Sequence, residues 1–262
     1  MLSISKIFCS EPHGVISFVG AGGKTSLMFH LAGLLVLSGQ RVLTTTTTKI
    51  FVPTPEQSET VIVDSDPHTV LRLASSGLKN TAHVTAAAAH LAESGKLKGF
   101  DPHVIKLFEE SGLFDWILVE ADGAAGRSLK APAEHEPAIP SNTSVLVSVA
   151  GLDVIGKPLS EDSVFRSGLA GKLMGLADGE IVTESALARF FSKSDGPFKG
   201  APSASRRFIF LNKAVDSDLR AVGARIAEKL RRQGPPVAET LIVGQALERI
   251  KVHSAHSLAL TR

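Results

Sequence analysis

Cysteine is nearly absent: Cys9 is the only one in 262 residues. No internal disulfide can form and no Cys-x-x-Cys pair exists, which argues against structural zinc and points to a reducing, cytoplasmic compartment. Excess charge is also lacking. The 28 Lys and Arg against 26 Asp and Glu leave a formal net charge of +2, too weak a field to imply nucleic acid or an anionic membrane surface as a partner. The longest apolar run, Leu27 to Gly39, is interrupted by His30. It falls short of the roughly 20 residues that cross a bilayer, so it reads as a buried helix and no membrane partner is expected. The opening MLSISKIFCSEPHG has no basic segment followed by an apolar one and does not read as a signal peptide. No internal repeat is visible.

What is present is a hydrophobic fraction of 44%, ample for a buried core. Short β-rich runs alternate with longer helical patterns, the signature of a mostly parallel sheet covered on both faces. The strands expected are Val15 to Val19, Arg41 to Thr45, Thr60 to Val63, Trp116 to Glu120, Ser144 to Val149, Phe208 to Leu211 and Glu239 to Val243. Runs such as WILVE and VLVSV are continuously apolar, as suits strands buried on both sides. Helices are expected over Lys24 to Ser38, Pro67 to Ser75, Pro102 to Ser111, Glu184 to Ser192 and Ser217 to Gln233. The last carries Leu219, Val222, Ile226 and Leu230 at spacings of three and four. Asp66 and Asp101, each before a proline, read as N-caps. Residues 1–262 read as one α/β domain. The Gly-, Pro- and Ser-rich Lys193 to Arg207 is either a loop within it or the boundary of a small C-terminal lobe from about residue 200.

The stretch VISFVGAGGKTSL, Val15 to Leu27, gives the fold a chemistry. A hydrophobic strand runs into Gly20, Ala21, Gly22 and Gly23, then Lys24, Thr25, Ser26 and a long helix. That is the context of a phosphate-binding loop: small residues let backbone N–H groups crowd round an anion, and the helix start adds partial positive charge. Lys24 would bridge the β- and γ-phosphates, and the Thr25 hydroxyl would ligate Mg²⁺. The usual spacing would place a glycine where Phe18 stands. The loop is therefore two residues short, and in this it resembles the shortened loop of Mur-type ligases. The plainer alternative is a glycine-rich turn with a solvated lysine. The expectation is a three-layer α/β, P-loop NTPase-like fold with a mostly parallel sheet.

Further segments bear on that choice. FDWILVEADGAAGR ends a buried strand in Glu120 and then Asp122. Acids at the carboxyl end of a strand beside the loop face the nucleotide crevice, so Glu120 and Asp122 are candidate metal ligands and catalytic groups alongside Lys24. The following loop would offer Arg127 or Lys130 to phosphate oxygens. Thr44 to Thr48 and Lys49 close another strand; either these threonines are edge-strand residues, or hydroxyls such as that of Thr47, with Lys49, bind phosphate oxygens or metal-bound water. Past a later strand, Asn212 and Lys213 echo the guanine-reading Asn-Lys-x-Asp of GTPases, with the aspartate one residue late at Asp216. ATP and GTP both remain open.

Taken together, FVGAGGKTSLM, TTTTTKIF and VEADGAAGRSLKAPAEHEPAIP make the chain similar to the YqeC family, described as selenium-dependent molybdenum hydroxylase accessory proteins. The likeness runs from the first strand to about Pro140, with echoes in GLDVIGKPL, GPFKGAP and LNKAVD. It implies a bacterial, cytoplasmic nucleotide-binding protein connected with maturing a molybdenum enzyme, with ATP or GTP and Mg²⁺ as cofactors. A molybdenum hydroxylase or its cofactor-maturation proteins would be partners. It carries over a phosphate loop on Gly20, Gly22, Gly23, Lys24 and Thr25 and an acidic site on Glu120 and Asp122. The chain departs from the family pattern at Phe165-Arg166, where a His-Arg pair is expected, and at the interrupted Asn-Lys-x-Asp.

The same segment holds Glu134, His135 and Glu136, either a second-substrate or metal cluster or a solvated loop. His253 and His256 are spaced for a helical metal site yet lie in what reads as a solvated tail. Cys9 and His13 do not amount to a site. Two functions suit the whole: an enzyme that cleaves a nucleoside triphosphate, by hydrolysis or to activate a small acid or cofactor as a ligase or transferase does, and an accessory protein switched by slow hydrolysis.

Overall fold

The computed structural model describes residues 4–259. In chain order its elements are α1 (Ile4–Phe8), β1 (Gly14–Gly20), α2 (Lys24–Leu37), β2 (Val42–Thr46), β3 (Lys49–Phe51), β4 (Val61–Val63), α3 (Pro67–Gly77), β5 (His83–Ala87), β6 (Ala89–Leu91) and β7 (Lys96–Lys98). There follow α4 (Val104–Glu110), β8 (Trp116–Glu120), β9 (Leu129–Lys130), β10 (Val145–Gly151), β11 (Val164–Phe165), α5 (Ser167–Met174), α6 (Glu184–Ser192), β12 (Arg206–Asn212), α7 (Ser217–Arg232), β13 (Thr240–Ala246) and β14 (Ile250–Ser257).

Nine strands form one sheet in the order β14-β13-β12-β10-β1-β8-β2-β5-β4. Every pairing is parallel except β13 with β14. All seven strands expected from the sequence are present in it. β1, β8 and β10 are buried along their whole length, because helices cover both faces and continuously apolar runs are what such strands require. On one face Ile16 and Phe18 of β1 pack with Leu27, Leu31 and Leu35 of α2. On the other, Val15 packs with α3 and α4, and Val19 with α5, α6 and α7. The result is the three-layer, P-loop NTPase-like architecture.

Helix starts follow local chemistry. Asp66 accepts from the amides of His68 and Thr69 ahead of α3, a cap that contributes about 1 kcal/mol. Asp101 instead accepts from the His103 amide within a turn, and α4 begins only at Val104. The C-terminal strands extend the same sheet: Phe208 to Leu211 pair with Thr240 to Val243. The expected tail is in fact β14, which pairs antiparallel with β13 along its length with one bulge opposite Val243 and Gly244. His253 and His256 thus lie on a strand with a bulge at His253 and not on a helix, so the helical spacing does not apply to them.

Strand order switches sides about β1, whose neighbours are β8 and β10. The carboxyl ends of β1, β8, β10 and β12 therefore meet at one edge, with Glu120 in register with Phe18 and Asn212 with Gly151. An open α/β sheet leaves its ligand crevice at such a point.

Candidate functional site

Between β1 and α2 the backbone turns through positive φ at Gly22 (78°) and Gly23 (120°). A Cβ on Gly22 would stand 2.5 Å from the Gly151 nitrogen and 2.8 Å from the Ser128 carbonyl, so the spot admits only glycine. The loop is tied down by its own amides. Gly20 donates to Asp122 Oδ2 at 2.9 Å, Ala21 to the Val149 carbonyl at 2.8 Å and Gly22 to the Arg127 carbonyl at 2.9 Å. The amides that remain to face an anion are those from Gly23 to Ser26, at the start of α2, where no side chain caps the helix. The unengaged amides thus begin three residues downstream of where the glycine pattern alone would start them.

Around it is a chain of buried charges. The Lys24 ammonium lies 2.9 Å from Asp122 Oδ1 and 3.8 Å from Glu120 Oε1, and donates to the Gly20 carbonyl at 2.5 Å. Burial alone would lower its pKa, but the Asp122 and Glu120 charges outweigh that and hold it above the ordinary lysine value. Thr25 Oγ1 donates to Glu120 Oε2 at 2.6 Å. Burial pushes the Glu120 carboxyl up, a rise that Lys24 and Thr25 only partly offset. Farther out, the fully buried Lys130 bridges Asp122 Oδ2 (3.4 Å) and Glu136 Oε2 (2.9 Å), and Arg166 pairs with the same Glu136 oxygen. Although burial opposes it, Arg166 and Lys130 together hold Glu136 at a pKa of about 2. Phe165 lays its ring under the Arg166 guanidinium, 4.7 Å away.

This inward network is not legible in the sequence. Lys130 is locked between two acids, not offered to a ligand, and Glu136 faces inward while Glu134 and His135 are exposed; no metal-holding group of His, Cys, Asp and Glu occurs among the described residues. The visible signal is two cations ahead of an acidic pair, but loop charges are usually solvated.

The threonine run is engaged in packing. Thr44 bonds His83 and Thr85, Thr45 the Ala86 carbonyl, Thr46 the Glu120 carbonyl and Thr47 the Ala138 carbonyl. Lys49 is exposed on a separate ribbon of β3, β7 and β6. Asn212 stands against the loop, donating to the Gly22 carbonyl at 2.7 Å and accepting from the Ala246 amide at 2.9 Å. Lys213 reaches Ser128 Oγ (2.7 Å) and Asp153 Oδ2 (3.0 Å). Asp216, the candidate base reader, accepts from the Leu219 amide and caps α7.

Two adjoining cavities open here. One, of about 410 Å³, is lined by Gly22, Gly23 and Ser26, by Asn212 and Lys213, and by the apolar Val215, Leu219 and Leu247. The other, of about 530 Å³, is lined by Arg127, Ser128, Lys157 and Ser160. Gly126, Asp153 and Lys213 belong to both walls.

The parallel sheet, the glycine turn into α2 and the strand-end acids together define a P-loop NTPase-like α/β protein. The model of the YqeC protein family matches residues 16–168, and the YqeC protein of Escherichia coli (strain K12) is 39% identical over 201 residues, 76% of this chain and 75% of that one. The chain belongs to the YqeC family. Among solved structures, FtsY from Mycoplasma mycoides superposes with a TM-score of 0.33 at 10% identity, over 94% of this chain and 66% of the other, a likeness too slight to carry an argument.

Proposed function

We propose that this protein binds ATP or GTP with Mg²⁺ at the start of α2 and cleaves it, serving as an accessory factor in the maturation of a selenium-dependent molybdenum hydroxylase. The observation that carries the nucleotide reading is the convergence of Lys24, Thr25, Glu120 and Asp122 on a helix start that opens into the 410 Å³ cavity. The maturation role rests on the family resemblance of the glycine loop and the Glu120-to-Pro140 segment.

The residues suit Mg²⁺, which takes hard oxygen ligands, keeps several waters and borrows the rest of its shell from phosphates. Thr25 and Glu120 would hold it, Glu120 directly or through water. Bound there, the ion would supply charge neutralisation across the β- and γ-phosphates. Amides from Gly23 to Ser26 bind the phosphates, and Lys24, drawn from Asp122, pairs with the developing charge. Asp122, relieved of Lys24, would orient a water or an acceptor hydroxyl. The apolar Val215, Leu219 and Leu247 pack on the base. A ligase or transferase that activates a small acid is the second reading, favoured by the 530 Å³ cavity next door.

Calorimetry of ATP, GTP and their non-hydrolysable analogues, with and without Mg²⁺, tests the proposal. Binding of one nucleotide per chain, strengthened by Mg²⁺ and lost in Lys24→Ala, is expected; equal affinity in Lys24→Ala would defeat it. Turnover that accelerates with a small acceptor marks an activating enzyme, and turnover that stays slow until a maturation protein is added marks a switch.

A further inference from the structure

We propose that the 530 Å³ cavity is a binding site for a small phosphate-bearing molecule seated beside the nucleotide, an assignment that rests on the adjoining cleft being the nucleotide site. Its volume lies within the ordinary range for small-ligand sites.

The cations on its wall come from three separate parts of the chain: Arg127 from the loop after β8, Lys157 from the segment after β10, and Lys213 from the end of β12. Two carboxylates, Asp153 and Asp162, share the wall. Asp153 does not neutralise what surrounds it, since its one negative charge faces both Lys213, 3.0 Å from Oδ2, and Lys157, 3.8 Å away, and with Asp162 counted the three cations still exceed the two acids. Among the described residues the Arg127 guanidinium has no ion pair; its charge acts at longer range on Glu161. A planar guanidinium with open donors, flanked by two ammonium groups, matches a compact multi-oxygen anion. The Ser160 hydroxyl adds a polar contact on the same wall.

Lys213 joins the two cavities. Its backbone adopts φ 63°, a conformation unusual for a residue with a side chain, and such outliers gather where a ligand site needs them. That turn brings its ammonium onto Ser128 and Asp153, at the partition between the two cavities. A phosphate in the second cavity and a nucleotide in the first would then both touch Lys213. Juxtaposition of this kind is how a site holds two substrates for a step between them.

The test uses the full chain, loaded with Mg²⁺ and whichever non-hydrolysable triphosphate analogue binds, titrated with inorganic phosphate and followed by calorimetry. One phosphate per chain is expected to bind without displacing the analogue. Lys157→Glu and Arg127→Ala should each weaken phosphate at least tenfold, Lys157→Glu should leave the analogue's affinity within twofold, and citrate should bind at least tenfold more weakly than phosphate. The assignment is overturned if phosphate fails to bind, displaces the analogue one for one, ignores both substitutions or is matched by citrate. Should no nucleotide bind while phosphate binding stays sensitive to Lys157→Glu, the nucleotide reading falls and the phosphate site stands. Nucleotide binding without a Lys157-sensitive phosphate removes the second site and leaves the nucleotide reading in place.

Discussion

Lys24 and Asp122 lie 2.9 Å apart, and the other oxygen of the same carboxylate takes the Gly20 amide. One acid, two residues past the end of β8, thereby holds both the first residue of the phosphate loop and its lysine. Since the Lys24 ammonium is wholly buried, the pair is a latch. On the proposed reading, a triphosphate would have to offer Lys24 a better partner than Asp122 does.

Removing the latch should destabilise the free protein. In Asp122→Ala the buried ammonium keeps the Gly20 carbonyl but only one carboxylate, Glu120 at 3.8 Å, and breaking a buried pair from one side costs about 3–5 kcal/mol. Asp122→Asn keeps an acceptor for the Gly20 amide and should cost less. Guanidinium unfolding measures both; equal midpoints for the two variants would count against the latch.

Glu120 has a separate role, because its second oxygen holds the Thr25 hydroxyl. Glu120→Gln is expected to abolish the strengthening of nucleotide binding by Mg²⁺ while leaving metal-free binding within a few fold. Thr25→Ala should behave alike, and the double variant should be no worse than either single one. Calorimetry with and without Mg²⁺ reads this directly, and additive losses would mean that the two residues do not serve one ion.

Acid should unfold the protein in two stages. His83, buried beside Thr44, is pushed down to about 4 from 6.5. Above pH 6.5 the histidine is neutral whether folded or not, so its contribution is whole there; as pH falls toward 4 the unfolded chain takes up a proton that the folded one refuses. The loss is about 3 kcal/mol. Glu136, depressed to about 2 from 4.5, contributes above pH 4.5 and loses that contribution as pH falls through 2. His83→Gln should flatten the stability profile between pH 6.5 and 4 and leave the lower stage in place; a profile unchanged by that substitution would refute the assignment.

How far the sequence could be read follows from which signals are local. The strands carrying Gly20, Glu120 and Asn212 are apolar runs ended by turns, and burial on both faces makes such runs conspicuous. Asp66 ahead of Pro67 announces α3 for the same local reason. β5, HVTAA, escapes notice because alanine and threonine settle neither a strand nor a helix, and β14, with His and Ser along its length, looks like a tail. In the site, the glycines, Lys24 and the strand-end acids are legible as a motif. The destinations of Lys130, Glu136 and the threonine hydroxyls are not, since each depends on a partner far away in sequence: Thr47 on Ala138, Lys130 on both Asp122 and Glu136, Glu136 on Arg166.

Asn212 offers the sharpest separation between base recognition and loop support. Its amide nitrogen donates to the Gly22 carbonyl and its oxygen accepts from the Ala246 amide, so both ends of the side chain are used within the protein. A Cβ on Gly23 would meet that same amide, which shows how closely the side chain is fitted to the loop. The expected outcome is therefore that Asn212 acts on a bound nucleotide through the shape of the loop and not by touching the base. Asn212→Ala strands a buried carbonyl and a buried amide, at about 1–3 kcal/mol each, and should weaken ATP and GTP by the same factor, tenfold or more. Asn212→Asp keeps the acceptor for Ala246, loses the donor to Gly22 and sets a negative charge beside the phosphate loop, so it should weaken both nucleotides more than Asn212→Ala does. Competition binding of the two nucleotides to each variant measures the ratio. A selective loss of GTP would show instead that Asn212 reads the base.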